Sequence, residues 1–192
     1  MKTIYLAGGC FWGVERFFQQ AKGVISTKVG YANGTKENPH YEDLKFGLDN
    51  ASETVEIKYD ESVVSLEKLL ELYLRIIDPY SLNKQGEDEG IQYRTGVYYQ
   101  NNEDKLVIED YFKKNLKDNH KVEIAPLNKF YPAEEYHQNY LIKNPNGYCH
   151  INMAKLKIDE KSNTKPQQRL FIKLKLGIVS FNLCYNLTRT HL

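Results

Sequence analysis

The sequence predicts an α+β fold in which helices pack on one face of a sheet, as an α/β two-layer sandwich. Strand-like and helix-like segments alternate over residues 1–160, with no internal repeat and no long linker. The predicted order is strand, helix, strand, strand, helix, strand, helix, strand, which matches a ferredoxin-like split β-α-β core. We expect this core to be followed by an irregular C-terminal region.

The first half of the chain provides the opening strand, helix, strand and strand. A short apolar run predicts the first strand, and Val14, Phe17 and Phe18 at helical spacing predict a helix that ends at Gly23. Val55 and Ile57 alternate with polar residues, as in a strand with one buried face. The predicted strands are residues 3–7, 24–31 and 53–60. A polar segment rich in turn residues, 32–43, is expected to be a loop.

The second half begins with an amphipathic helix over residues 65–78. Ser65 is placed to cap it, and it should end at Asp78 because Pro79 disfavours a helical conformation in the preceding residue. The acidic segment 84–90 is predicted to be a loop. The remaining predicted elements are a strand at 92–100, a helix at 102–116, a strand at 121–127 and a helical piece at 132–143.

The chain divides into two parts of different charge. Residues 161–192 hold six of the 26 lysines and arginines and no acidic residue, so residues 1–160 keep 20 basic and 25 acidic groups. We expect a single domain over 1–160 and a basic, apolar extension over 161–192 that is disordered or loosely docked. The mildly acidic body argues against a nucleic-acid-binding surface.

Three cysteines in 192 residues are too few for a disulfide scaffold. An odd number of cysteines favours a reducing compartment, and we expect the protein to be cytoplasmic. The apolar run near the start, residues 4–7, is shorter than the roughly 7–15 residues of a signal peptide. No run approaches the roughly 20 apolar residues of a membrane span, so no membrane association is expected.

One cysteine has an unusual sequence environment, "YLAGGCFWGVE". Cys10 follows a glycine pair at a predicted helix start, where backbone N–H groups and the helix dipole favour a thiolate. The glycines allow a sharp turn, and Phe11 and Trp12 would form apolar walls beside the sulfur. Taken alone, the pattern also fits a buried cysteine in a core turn.

The motif "GGCFWGVE" resembles the signature of the type A peptide methionine sulfoxide reductases. The similarity continues in order through "GYANGTKENPHYEDL", "ETVEIKYD", "IIDPYSLNKQGEDEGIQYRTGVYY" and "FYPAEEYHQNYLIKNPNGYC", over roughly residues 4–158. The resemblance implies an oxidoreductase that reduces the S-epimer of methionine sulfoxide, free or in proteins, and thereby repairs oxidised proteins.

The same resemblance implies a set of site residues. Cys10 would attack the sulfoxide sulfur and become a sulfenic acid, and Glu53 would supply a proton to the oxygen. The substrate-binding residues implied are Phe11 and Trp12 for the S-methyl group, Tyr41 and Tyr93 for the sulfoxide oxygen, and Asp88 near the substrate. One departure from the family pattern is visible, since Asn50 and Ala51 stand where a glycine and a histidine are common.

Regeneration requires a second thiol. The resemblance implies that Cys149, after the turn "NPNGY", forms a disulfide with Cys10 that thioredoxin or another dithiol then reduces. It implies no bound cofactor and no metal. Cys184 is either a second recycling thiol or part of a passive tail, and the passive tail is favoured.

Three alternatives stay open. The chain could be a cysteine peptidase or acyl transferase with His137 or His120 as base, although His137 is expected mainly to pack and hydrogen-bond. It could be a metal or haem sensor, which the pair Cys149 and His150 supports only weakly. It could also be an inactive interaction module.

Overall fold

The computed structural model describes residues 1–163, of which Met1–Lys161 form one compact unit. Cys184 and nearly all of the predicted extension 161–192 lie outside the described residues. Within 1–163, no helix combines the length and the apolar character that crossing a membrane requires.

The regular elements largely follow the predicted order. The strands are β1 Lys2–Ala7, β2 Val24–Ala32, β3 Ser52–Tyr59, β4 Lys84–Gln85, β5 Asp88–Glu89, β6 Gly96–Tyr99, β7 Glu123–Pro126 and β8 Phe130–Pro132. The helices are α1 Phe11–Phe18, α2 Tyr41–Lys45, α3 Leu66–Ile76, α4 Asn102–Asn115 and α5 Tyr140–Lys143. Short 3-10 turns lie at Ile91–Tyr93, Met153–Lys155 and Ile158–Glu160.

The sheet confirms the predicted α+β class and the split β-α-β core. Its strand order is β7-β6-β1-β3-β2-β8, and β3 pairs antiparallel with both β1 and β2. The strands β1 and β2 therefore run parallel, joined through α1, with β3 inserted between them. The four central strands in the order β6-β1-β3-β2 are the ferredoxin-like arrangement. The edge strands β7 and β8 extend the sheet on either side.

One hydrophobic core holds the helices on the sheet. Leu6 of β1 lies opposite Val55 of β3 and Val97 of β6, and all three are fully buried on the same face. Helices α1, α3 and α4 contribute buried side chains to this core, namely Val14, Phe17, Phe18, Leu69, Leu70, Tyr73, Ile108 and Phe112. Since each such side chain contributes about 1.5–3 kcal/mol on burial, this interface fixes α1 against the sheet.

The prediction of a helical piece over 132–143 is wrong for most of its length. Only Tyr140–Lys143 is helical, and Asn139 just before it has a left-handed φ of 56°. The amide of Gln138 accepts a bond from the backbone N of Val29 and donates to its carbonyl. These side-chain contacts bind the segment to β2, and the left-handed conformation of Asn139 interrupts the helix.

Other segments also differ in detail. The predicted acidic loop contains the two-residue hairpin β4–β5, and the predicted polar loop contains α2. The predicted strand over 92–100 begins as a 3-10 turn and pairs with β1 and β7 only from Gly96 onward. These short elements depend on side-chain contacts with distant segments rather than on local periodicity.

Candidate active site

Cys10 lies in the turn that connects β1 to α1, directly before the first residue of the helix. β1 ends at Ala7, and Cys10 is the residue before the helix, so the turn between them takes two residues. Gly9 has a φ of +78°, and a Cβ there would lie 2.7 Å from Cβ of Gln85. The second glycine of the pair is therefore required both by its backbone conformation and by the close approach of the β4–β5 hairpin.

Glu53 on β3 reaches the first turn of α1 from the neighbouring strand. Its Oε2 accepts a hydrogen bond of 3.0 Å from the backbone N–H of Phe11, and the residue is 2% exposed. Burial raises the pKa of Glu53 to about 8; the Phe11 N–H bond acts in the opposite direction, and the charge of Asp88 adds to the rise. The carboxyl group is therefore mostly protonated at neutral pH.

The prediction that the helix start lowers the pKa of Cys10 is wrong in its net direction. Burial, followed by the nearby charge of Glu53, raises the pKa of the Cys10 thiol well above its ordinary value. The backbone N–H groups of Trp12 and Gly13 do lower it, as helix N-terminal donors should, but they do not outweigh desolvation. In this structure the thiol is protonated at neutral pH.

A cavity of about 570 Å³ opens beside Cys10, which is 7% exposed. It brings together seven of the residues singled out in the sequence, namely Cys10, Phe11, Trp12, Tyr41, Glu53, Asp88 and Tyr93. Five further residues that were not assigned to substrate binding also line it: Glu42, Tyr136, His137, Tyr140 and Tyr148. The cavity thus has aromatic walls, with a thiol and carboxyl groups among its lining residues.

The aromatic wall is held rigidly. The ring of Trp12 stacks on Tyr140 at a centroid distance of 3.7 Å, and its Nε1 donates to Nδ1 of His137 at 3.1 Å. His137 also lies against Phe11 and Tyr41, at 5.1 and 5.2 Å between ring centroids. Burial lowers the pKa of His137, so the ring is neutral, and it packs and hydrogen-bonds as the sequence led us to expect.

Sequence reasoning missed two charged residues, Glu134 and Arg94, that hold the segments carrying Tyr41 and Tyr93. Glu134 accepts bonds from the backbone N of Tyr41 and from the hydroxyl of Tyr31, at 2.9 and 2.7 Å. Arg94, next to Tyr93, donates to the carbonyl of Asn50 at 2.8 Å. Tyr41 and Tyr93 both line the cavity, and burial, followed by the nearby charge of Glu53, raises the pKa of Tyr93.

Cys149 lies beside the first turn of α1 but does not line the cavity. Its Sγ donates to the carbonyl of Ile151 at 3.4 Å, and a Cβ on Gly13 would lie 3.3 Å from that sulfur. Cys10 and Cys149 are both free thiols. Burial raises the pKa of Cys149. Gly13 therefore leaves room for the second thiol one helical turn from the first.

The geometry bears on the alternatives as well. His120 lines a different cavity, at the C-terminal end of α4, and Nδ1 of His137 is engaged by Trp12, so neither is placed as a base for Cys10. Within residues 1–163, no group of three or more His, Cys, Asp or Glu side chains is arranged to hold a metal ion. Asn50 and Ala51 precede β3 without disturbing the contact between Glu53 and Phe11.

The chain is similar to known proteins over most of its length. The model of the family "Peptide methionine sulfoxide reductase" matches residues 2–169. The peptide methionine sulfoxide reductase MsrA of Clostridium botulinum (strain Loch Maree) is 55% identical over 156 residues, covering 80% of this chain and 99% of the relative. The MsrA of Lachnoclostridium phytofermentans is 56% identical, covering 80% of this chain and 94% of the relative.

Solved structures show the same fold. Reduced Mxr1 from Saccharomyces cerevisiae superposes with a TM-score of 0.70 at 34% identity, over 79% of this chain and 91% of that one. Methionine sulfoxide reductase A of Corynebacterium diphtheriae gives a TM-score of 0.69 at 36% identity, over 77% of each chain. The chain belongs to the peptide methionine sulfoxide reductase family and is an oxidoreductase of its type A.

Proposed function

We propose that the chain reduces the S-epimer of methionine sulfoxide, free or in proteins, by a two-cysteine cycle that a thioredoxin-type dithiol completes. One observation carries this proposal. Cys10 shares an aromatic-walled cavity with Glu53, a buried carboxyl group whose pKa is about 8. A nucleophile and a proton donor thus line one cavity at neutral pH.

Substrate binding uses the aromatic wall. The S-methyl group packs against Phe11 and Trp12, which offers burial and a sulfur–aromatic contact. The sulfoxide oxygen accepts hydrogen bonds from the hydroxyl groups of Tyr41 and Tyr93, two residues that line the same cavity. Asp88 lies at the edge of the site near the substrate. The assignments follow from the family resemblance, and the arrangement of these side chains supports them.

In the first step Glu53 gives its proton to the sulfoxide oxygen, which makes the substrate sulfur electron-poor. The sulfur of Cys10 attacks it, and the thiol proton returns to the Glu53 carboxylate. The hydroxyl group then moves from the substrate sulfur to the sulfur of Cys10, so that the substrate S–O bond and the transient bond between the two sulfurs break, methionine leaves, and Cys10 becomes a sulfenic acid. The raised pKa of the Cys10 thiol is consistent with this sequence of events. The thiol stays protonated until the substrate oxygen has received its proton, and it loses its own proton only during the attack.

In the second step Cys149 attacks the oxidised sulfur of Cys10. A disulfide forms, the S–O bond of the sulfenic acid breaks, and the oxygen leaves as water with the proton of the Cys149 thiol. Thioredoxin or a similar dithiol then reduces the disulfide and is itself oxidised to a disulfide. Cys10 and Cys149 are both free thiols, and Cys149 lies against Gly13 in the first helical turn after Cys10, which supports this role. We place the enzyme in the cytoplasm, where such reductants act.

The test is a mass measurement after mixing the enzyme with a stereochemically defined peptide sulfoxide in the absence of reductant. We expect the S-epimer to yield one methionine per enzyme and a loss of two hydrogens in the peptides that contain Cys10 and Cys149. The Cys149→Ser variant should also yield one methionine but then stall with thioredoxin. A wild-type enzyme that turned over without any mass change at Cys10 would contradict the cycle.

A further inference from the structure

Three side chains from two segments that are distant in sequence meet around Cys149. Asp88 comes from β5 in the β4–β5 hairpin, whereas Tyr148 and His150 are the neighbours of Cys149 itself. The hydroxyl of Tyr148 donates to Oδ2 of Asp88 at 3.1 Å, and Nδ1 of His150 lies 3.4 Å from the same oxygen. One carboxylate thus accepts a hydrogen bond from the residue before the second thiol and lies against the ring of the residue after it.

The ring of His150 sits in a slot between two glycines. A Cβ on Gly9 would lie 3.0 Å from its Nε2, and a Cβ on Gly86 would lie 3.3 Å from its Cβ. The side chain is 7% exposed, and both ring nitrogens are shielded from solvent and have no hydrogen-bond partner. Burial lowers the pKa of His150, although Asp88 and the Gly8 carbonyl raise it, so the ring is neutral at pH 7.

The position of the slot links the two cysteines. Gly9 precedes Cys10, and the ring of His150 lies against it. The sulfur of Cys149 lies against Gly13 in the first turn of α1. The segment that carries Cys149 therefore contacts the chain on both sides of Cys10 in sequence. His150 packs against Gly9, and Cys149 packs against Gly13.

We propose that Asp88, Tyr148 and His150 form a clamp, which positions Cys149 for its attack on the oxidised Cys10 and so sets the rate of disulfide formation. A disulfide demands a narrow geometry, with Cβ atoms about 3.8 Å apart and a defined torsion, so positioning governs its rate. The clamp adds no reactant: Cys149 still loses its proton to the departing oxygen, which leaves as water. His150 is a positioning residue. The inference rests on the proposed two-cysteine cycle.

The test variant is His150→Gln, in which the rate of methionine release and the rate of disulfide formation are measured separately. The enzyme is mixed with a peptide sulfoxide without reductant, and methionine release and the loss of two free thiols are followed in the same sample. We expect methionine release at the wild-type rate and disulfide formation slowed at least about tenfold, because a misplacement of about 1 Å costs rate. A sulfenic-acid probe such as dimedone should then label Cys10 in a larger fraction of molecules.

His120→Gln is the matched control, because His120 packs near Phe112 by α4 and does not line the cavity. It should change neither rate. Equal slowing of methionine release and disulfide formation in His150→Gln would overturn the inference, as would no change in either. Thermal unfolding of both variants reports whether they fold.

Tyr148→Phe provides a second and milder variant, since it removes one hydroxyl group and keeps the ring. Because Tyr148 also lines the cavity, the informative quantity is the ratio of the two rates. We expect disulfide formation to slow several-fold more than methionine release, and an unchanged ratio in both variants would contradict the clamp. Failure of the proposed cycle is a different result: the wild-type enzyme itself would then show no labelled or disulfide-bonded Cys10.

Discussion

The two thiols of this enzyme are positioned by different means. Cys10 lies between a central strand and a core helix, and its surroundings are set by backbone pairing and by the buried contact of Glu53 with Phe11. Cys149 lies in a segment without a strand or an α-helix, held by a few side-chain contacts to Asp88 and by packing against Gly13. In the proposed cycle, sulfoxide reduction therefore depends on groups that the core of the fold positions, whereas disulfide formation depends on a segment outside the sheet and the α-helices.

Replacing the first thiol should have the largest effect. Cys10→Ser removes the nucleophile, because a serine hydroxyl is not ionised in a buried site, and methionine formation should fall at least about a thousandfold. The measurement is methionine released from a peptide sulfoxide in a single turnover. Cys149→Ser is the matched control at the other thiol and should keep that turnover. An equal loss of methionine release in Cys10→Ser and Cys149→Ser would contradict the proposal that only Cys10 takes part in sulfoxide reduction.

Removing the proton of Glu53 should have the next largest effect. Glu53→Gln keeps the side-chain size but cannot deliver a proton, so methionine formation should slow about 10²–10⁴-fold. Because the carboxyl pKa is raised to about 8 and the protonated form is active, wild-type single-turnover rates should fall as pH rises through about 8. This decline should be absent from the residual activity of the variant.

Glu56→Gln serves as the control for that measurement. Glu56 lies on the same strand and accepts a bond from Tyr5, away from the cavity. It should keep the wild-type rate and the wild-type decline with pH. A decline near pH 8 that persisted in Glu53→Gln would assign the titration to another group.

A change at Gly13 should affect the second thiol alone. A Cβ there would lie 3.1 Å from Cδ1 of Ile151 and 3.3 Å from Sγ of Cys149, so Gly13→Ala displaces that segment by tenths of an ångström. We expect disulfide formation to slow roughly threefold to tenfold with methionine release unchanged. Stability should change little, because alanine's helix preference of about 1 kcal/mol offsets the crowding. Paired single-turnover rates and a melting curve check this.

Replacing the third cysteine should have the smallest effect. Cys184 is assigned to a passive tail, so Cys184→Ser should support the wild-type steady-state rate with thioredoxin, within about twofold. A variant that completed one turnover and then recycled slowly would instead make Cys184 a recycling thiol. The same variant simplifies thiol counting in the other experiments.

Much of the core could be predicted because it follows from local periodicity. Val55 and Ile57 alternate along β3, and the apolar stripe of α3 marks both its existence and its buried face. The helical piece over 132–143 failed for the opposite reason, since Gln138 and Glu134 use their side chains to bind β2, Tyr31 and Tyr41. Such long-range bonds leave no periodic signal in the sequence.

Local sequence patterns predict the α+β core and the place of Cys10 at the strand-to-helix turn, and five ordered motifs predict the family and its candidate residues. The charge state of the site and the position of Cys149 follow only from the packed structure. Desolvation and the nearby Glu53 outweigh the helix N-terminus and raise the pKa of the Cys10 thiol. The contacts of His150 with Gly9 and Asp88 likewise join segments far apart in the chain. Burial and long-range contact are properties of the packed molecule, so no local pattern encodes them.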